Sequence, residues 1–275
     1  PMSGTSWAAR SIPAAPFFGS RVVTDLDLED IYPFINPVAL FRGQWQVKKG
    51  AKSDAEYEAF IEDEIVPVFE SLKKKCRDEG ILKPAVVYGY FPCNADGDDL
   101  VIWDPQQKDR ELERLTFPRQ GDKRRLCISD FFRPVESGEV DVIGLHCVTM
   151  GPRASEAAKR LFEANKYTDY LYLHGLGVET AEALAEYWHK RMRQELGIAN
   201  EDSPRIKELF TQHYRGSRYS FGYPACPDMS MQQNLFRLLQ PERIGCTLTE
   251  NFQIDPEQST SAIIVHHPEA KYFNV

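Results

Sequence analysis

The chain has 275 residues, enough for one large or two small hydrophobic cores. Its 42% apolar and 27% charged residues are the proportions of an ordinary soluble globular protein. A formal net charge of −8 argues against sequence-independent nucleic-acid binding, which needs a basic footprint, and the runs "KKK" (73–75) and "KRR" (123–125) read as solvated faces. No apolar run approaches the ~20 residues of a membrane span, and no basic segment leads into a signal-peptide-like apolar run. Six scattered cysteines (76, 93, 127, 147, 226 and 246) form no CxxC pair, so reduced, mostly buried thiols in a cytoplasmic protein are expected, without a structural zinc site.

The first twenty residues, ending "SIPAAPFFG" and following an opening Pro-Met, read as a linker or surface arm of a fragment cut from something larger. "TDLDLEDIYPF" (24–34) predicts a short helix capped by Thr24 or Asp25, with Pro33 limiting its length. From Ser53 to Glu79 apolar residues recur at helical spacing, with a kink or break at Pro67 and a stop at Gly80. "PAVVYGYF" (84–91) and "DDLVIW" (98–103) are strands joined by the turn "NADGD". That acidic turn resembles the start of a calcium loop but lacks the twelfth-position Glu, so a hairpin is the better reading. "RELERLTF" (110–117) is a further strand, and the almost wholly apolar "VDVIGLHCVTM" (140–150) is the central one.

Segments 152–165, 178–196 and 203–213 carry helical periodicity, and "TSAIIVHH" (260–267) is a late strand. Grouped strands favour an α+β fold with an antiparallel or mixed sheet. "YLYLHGLGVETAEAL" (170–184) half-matches a dinucleotide fingerprint, with strand-like residues before Gly175 and Gly177. Thr180 replaces the third glycine, and no acidic strand end follows at the needed distance. Within helix 178–196, Glu182 and Glu186 flank the stripe Ala181, Leu184, Ala185, Trp188 and Met192. Solvent exposure, with Lys190 as compensation, is the simpler account; Glu182 facing a cationic ligand is the sharper one. His266 and His267 point to opposite faces of a strand and do not suit a shared metal.

The segment "YRGSRYSFGYPACPDMS" (214–230) is different. Pro224 and Pro227 keep it out of a sheet interior, and Ser230 with Gln233 has capping-box spacing for a following helix. Arg218 can fork onto a carboxylate, and Tyr219, Phe221 and Tyr223 offer flat faces to a heterocycle. A rigid turn without a ligand remains the alternative on these grounds.

"RYSFGYPACPD" resembles the Arg-x-x-x-Gly-Tyr-Pro-Ala-Cys-Pro signature of the S-adenosylmethionine-binding activation domain of cobalamin-dependent methionine synthase. "DIYPF", "VYGYFPCNADGDDLVIW", "LCISDFF", "AEALAEYWHKRMR", "GCTLTENF" and "HHPEAKYF" follow in the family's order, so the likeness covers nearly the whole chain. The resemblance implies a single C-shaped α+β domain over 21–275, with a twisted, mainly antiparallel sheet. It implies that Asp30 helps hold the ligand's ammonium and Arg218 its carboxylate, with Glu182 near the bound molecule. Tyr223, the backbone of Pro224, Ala225 and Cys226, and Tyr272 with the adjacent Phe273 line the rest. The chain departs from the family at Met229, where a histidine is usual, and at Phe273, where a second tyrosine is usual.

The implied task is reactivation: after cob(I)alamin oxidises to cob(II)alamin, flavodoxin or an equivalent reductase supplies an electron and S-adenosylmethionine a methyl group. Cobalt is the nucleophile, so no catalytic side chain is implied. Cobalamin would be carried by a neighbouring domain of the same polypeptide, zinc only by a distant homocysteine-binding domain, and the isolated domain would be a monomer. A non-catalytic interaction module of the same fold that has lost ligand binding is the alternative, and a freestanding methyltransferase is disfavoured by the missing glycine-rich site.

Overall fold

The computed structural model describes residues 11–275 except Lys123, so residues 1–10 of the expected arm, and Lys123 of the second basic run, lie outside the described residues. Ile12, Ala15 and Phe17 pack against a hydrophobic core, and Phe17 meets Tyr88 and Tyr90 edge-on. The chain then enters strand β1 (Gly19–Val23), so Gly19 and Ser20 of the expected arm already belong to the sheet.

Helix α1 (Leu28–Ile31) is one turn long. Asp27, rather than Thr24 or Asp25, caps it by accepting from the Glu29 amide, and a 3₁₀ turn (Tyr32–Phe34) containing Pro33 follows. Helix α2 (Asp54–Phe60) starts with a reciprocal Ser53–Glu56 capping box. It runs through a π-helical segment (Ile61–Ile65) into α3 (Val66–Asp78), where Pro67 occupies a first-turn position that needs no amide hydrogen. The expected break is therefore a change of helical pitch.

Strands β2 (Ala85–Asp96), β3 (Asp99–Trp103), β4 (Glu111–Thr116) and β5 (Asp141–Thr149) follow, with the predicted hairpin turn at Gly97 between β2 and β3. Helix α4 (Pro152–Glu163) leads to α5 (Tyr167–Glu195), about 43 Å long at 1.5 Å per residue. Beyond it lie α6 (Ile206–Leu209), strand β6 (Ser217–Tyr219), α7 (Gln232–Leu239) and strands β7 (Thr247–Leu248), β8 (Ile254–Asp255) and β9 (Ser259–Val265).

The main sheet has the order β4-β3-β2-β5-β9-β6, and β1 adds to β2 alongside it. All its pairings are antiparallel, which gives the α+β architecture. β5 is buried at every residue, because helices cover both faces of the sheet at its centre. Val142 and Val148 face the core built with α5, while Ile143, Leu145 and Cys147 face the core containing α7.

Three sequence expectations are corrected. Residues 170–174 are helical, part of α5, and Gly175 and Gly177 are packing residues within it. A Cβ at Gly175 would lie 2.8 Å from Gln44 Cβ and 2.9 Å from Trp45 Cδ1, and one at Gly177 2.8 Å from Gln258 Cγ. The glycines let neighbouring segments touch the helix, which explains a half-matched fingerprint without a phosphate site. Within 203–213 only Ile206–Leu209 is helical; the Ser203 hydroxyl bonds Glu208, and Gln212 has left-handed φ. Before α7, Asp228 accepts from the Ser230 amide, so the cap lies two residues earlier than the Ser230 capping box predicts. A short 3₁₀ turn (Met229–Met231) intervenes before α7.

Gly175→Ala should therefore destabilise the fold by about 1–3 kcal/mol through overpacking against Gln44 and Trp45, lowering Tm by about 2–4 °C per kcal/mol. Thermal unfolding followed by circular dichroism checks this, and an unchanged Tm would show that Gln44 and Trp45 yield to the added methyl.

Candidate functional site

Sheet register fixes which side chains share a face. His146 of β5 pairs with Ala262 of β9, and Ile264 of β9 pairs with Arg218 of β6. Paired residues, and residues two apart, project to the same side, so His146 and Arg218 both face α5. Across from them, Glu182, Glu186 and His189 lie at i, i+4 and i+7 on one side of α5, close to its apolar stripe.

These groups meet at the Arg218 guanidinium. Nη2 donates to Glu186 Oε2 at 3.2 Å, and Nη1 lies 3.4 Å from His189 Nδ1. A guanidinium has no acceptor, so Nδ1 must accept and the imidazole proton sits on Nε2. Burial opposes the Arg218 charge, but Glu186, then Tyr214 and Glu182, outweigh it and raise the pKa above its ordinary value. Burial, followed by the charges of Arg193 and Arg218, holds His189 well below the usual imidazole range. Burial also lowers His146 to about 3, with Arg218 adding to the effect.

Around this pair the burial is incomplete chemically. Glu186 Oε1, His189 Nε2 and both ring nitrogens of His146 are buried without a hydrogen-bond partner. Burial raises the pKa of half-buried Glu182, as does its like-charged neighbour Glu186, while Arg218 pulls it down. Both carboxylates were the ones whose simpler reading was solvent exposure; instead Glu186 is 7% exposed and Glu182 faces the Arg218 charge. An Arg–Glu pair turned inward from the end of the sheet explains why two like charges tolerate one helix flank.

The loop after β6 closes the other side. Gly222 has φ +87°, and the Met229 thioether packs where its Cβ would be, with Sδ only 2.4 Å from that position. The Gly222 amide donates to Cys226 O and the Cys226 amide to Tyr223 O, which makes Pro224-Ala225 the tip of a tight turn. The last residue, Val275, donates its amide to Pro224 O, and Tyr219 Oη donates to Lys271 O, so the C-terminal segment is fastened along this loop. These hydrogen bonds and the two prolines stiffen the turn.

The sequence-predicted residues fall into three sets. Glu182, Arg218, Tyr223 and Tyr272 converge: Glu182 is the foremost cause raising the Tyr223 hydroxyl pKa, ahead of burial, Tyr272 and Glu179, with Arg218 opposing. Tyr223 and Tyr272 are both exposed. Ala225, Cys226 and Phe273 direct their side chains into the core: Cys226 Sγ contacts Met231 Sδ at 3.9 Å, and the Phe273 ring packs against Tyr219 and Phe131. Pro224 offers the turn backbone. Asp30 is exposed on α1, which packs against α5, and has no ion-pair partner among the described residues.

Sequence reasoning missed Glu186, His189, His146 and Tyr214. The signals existed: Glu182-x-x-x-Glu186-x-x-His189 shares one helical face, and His146 is the only histidine inside the apolar run 142–149. Tyr214 stacks over Arg193 at 4.0 Å and meets His189 edge-on at 4.9 Å, while Arg193 binds Asp202 through two part-buried hydrogen bonds. These contacts anchor the far end of α5 beneath the site.

Other features carry less chemistry. The concavity of about 870 Å³ lined by Glu201, His213, Arg215 and Lys271 lacks the α5 carboxylates. His266 and His267 are buried just past β9, and His266 Nε2 lies 2.6 Å from Asp141 Oδ1. Among the described residues, no group of three or more His, Cys, Asp or Glu is arranged to hold a metal ion, no helix is long and apolar enough to cross a membrane, and all six cysteines are free and buried.

The neutral histidines set an acid limit. His146 has a folded pKa of about 3 against an ordinary 6.5, so the unfolded chain binds more protons between those values. Its contribution to stability is complete above about pH 6.5 and is lost as pH falls toward 3, and His189 acts in the same sense. Glu182, with its raised pKa, works oppositely: its contribution is complete below 4.5 and is lost as pH rises through its folded value. The urea midpoint should fall between pH 7 and pH 5, and His146→Leu should flatten that fall. An equally steep fall in the variant would assign the acid sensitivity elsewhere.

Comparison with known proteins identifies the family of the chain. Residues 27–275 match the family model described as "Vitamin B12 dependent methionine synthase, activation domain". The chain is 45% identical over 278 aligned positions to methionine synthase of Mycobacterium tuberculosis and 43% identical to that of Mycobacterium leprae, covering 96% of this chain in each case. It spans only 23% of the length of those relatives. Among solved structures, the MetH reactivation domain bound to AdoHcy superposes with a TM-score of 0.85 at 29% identity, covering 98% of this chain and 84% of that one. With the family model matched over almost its whole length, the chain belongs to the activation-domain family of vitamin B12 dependent methionine synthase.

Proposed function

We propose that this domain binds S-adenosylmethionine between α5, Arg218 and the 219–226 loop, and presents its methyl group to cobalamin carried by another module of the same polypeptide. The observation that carries the reading is the Arg218 cluster itself: a half-buried guanidinium facing two carboxylates, rimmed by exposed Tyr223 and Tyr272. An amino-acid sulfonium ligand presents a carboxylate, an ammonium and a flat heterocycle, and these three needs match that set. Arg218 takes the carboxylate, Glu182 faces the positive end, and the tyrosines take the adenine. Asp30, an exposed carboxylate without a partner on α1, is the further candidate for the ammonium. Pro224, Ala225 and Cys226 contribute backbone, and Phe273 supports Tyr219 from the core.

The reaction needs no protein general base. One electron, from flavodoxin or an equivalent reductase, and one methyl group convert cob(II)alamin to methylcobalamin and leave S-adenosylhomocysteine. The domain's part is orientation of the sulfonium and docking against the cobalamin module. Met229, packed on Gly222, gives the loop a thioether where the family usually has an imidazole.

Calorimetric titration of the chain with S-adenosylmethionine, without added metal, should give one site. Arg218→Ala should weaken it about ten- to hundred-fold, the loss of a charge-assisted contact of about 1.5–3 kcal/mol. Unchanged affinity with intact circular dichroism would remove Arg218 from the site. Joined to its cobalamin module, under anaerobic reducing conditions, the domain should convert cob(II)alamin to methylcobalamin, seen in the absorption spectrum. The free chain should do so slowly, because tethering raises the effective concentration of a weakly docking pair. Absence of product from the tethered protein, with ligand binding intact, would leave a ligand-binding interaction module.

A further inference from the structure

The ligand-facing arginine is itself held from behind. Two of its terminal nitrogens are occupied on the α5 side, Nη2 by Glu186 Oε2 at 3.2 Å and Nη1 by His189 Nδ1 at 3.4 Å. Arg218 sits on a three-residue edge strand, so its backbone alone gives little rotational control over a long side chain. Its two holders stand on a helix of 29 residues whose adjoining apolar stripe is locked into the core, and both are at least nine-tenths buried. A guanidinium has five donor hydrogens, and this anchoring uses two of them. Nε and the remaining Nη hydrogens are left for an incoming carboxylate.

We infer that Glu186, seconded by His189, is the positioning residue that orients Arg218 for the ligand carboxylate, and that neither of the two touches the ligand. The inference rests on the reading of the site as an S-adenosylmethionine site. Geometry separates it from two rivals. A Glu186 that merely neutralised a buried charge would not need a neutral histidine acceptor on the second guanidinium nitrogen. A Glu186 that competed with the ligand would need Arg218 to swing away on binding, which the second contact, to a fully buried His189, resists. The pattern is instead one of two fixed acceptors on a rigid element turning one donor fork outward.

The test uses the whole 275-residue chain and two probes, S-adenosylmethionine and its decarboxylated analogue, which lacks the group Arg218 is meant to hold. Glu186→Gln keeps the shape and one acceptor but removes the charge. It should weaken S-adenosylmethionine on the order of ten-fold and the decarboxylated analogue less than two-fold, and it should add little further loss in an Arg218→Ala background. A general structural defect would weaken both probes alike, and that outcome overturns the inference, as does unchanged or tighter binding of S-adenosylmethionine. Should Glu186→Gln fail to fold, the His189 pair decides. His189→Asn, whose amide oxygen can stand in for Nδ1, should keep the preference for the carboxylate-bearing probe, and His189→Leu should lose it; equal behaviour of the two overturns the assignment. If the unaltered chain binds neither probe, the site reading fails first, and the inference with it.

Discussion

The candidate site depends on holding the Arg218 charge in a partly desolvated position between β6 and α5. A guanidinium withdrawn from water is tolerated only where carboxylates and hydrogen-bond acceptors replace its hydration. Here Glu186 and His189 supply direct contacts, and Glu182 and Tyr214 add to the local field. Every element around the arginine can be understood by what it does for that charge. β6 is short because it needs only to deliver Arg218 beside Ile264 of β9. The anchoring of Arg193 by Asp202 and Tyr214 holds the end of α5 from which His189 projects. The two buried histidines stay neutral, because protonating either beside Arg218 would place a second positive charge in the same desolvated space.

That arrangement in turn requires α5 to lie unusually close to its neighbours. Gly144 of β5 lets Met192 of α5 reach the sheet, its Cε 2.8 Å from where a Cβ would be, and Gly175 and Gly177 admit Trp45, Gln44 and Gln258 to the helix surface. A helix pinned at its two ends and along its length changes angle very little. Its carboxylates are therefore held by the core itself, which is the difference between a site on rigid elements and one on loops.

Much of this was legible in the sequence, and the failures have physical causes. The central strand β5 and the hairpin of β2 and β3 follow from β-branched runs and a Gly turn, and the Arg-x-x-x-Gly-Tyr-Pro-Ala-Cys-Pro segment points to the site directly. Residues 170–174 misled because "YLYLHGLG" is rich in tyrosine and glycine, types with weak helix preference; tertiary contacts with Trp45 and Gln258 override that preference. The short strands β1, β6, β7 and β8 carry too few residues for alternation to register. Glu186 was read as solvated because a helical pattern locates the apolar stripe but does not reveal which polar flank another strand will cover. Only the register of β6 on β9, a contact between segments far apart in the chain, decides that.

The site is accordingly divided into two regions of different character. Its inner end is charged and made by α5 and β6, elements that pack on the central sheet. Its outer end is aromatic and made by Tyr223 and Tyr272, which stand exposed on the proline turn and the C-terminal segment laid along it. A zwitterionic group needs direction as well as charge, so rigid elements suit it. A heterocycle gains mainly from a flat apolar face, so tyrosines on a stiff turn suffice. Under the proposed function the same turn would also leave the reactive centre open to a partner module, its tip held by the Gly222–Cys226, Cys226–Tyr223 and Val275–Pro224 hydrogen bonds. On the proposed reading, the division between a charged wall that sets orientation and an open aromatic rim suits a domain that holds a methyl donor for an acceptor arriving from outside.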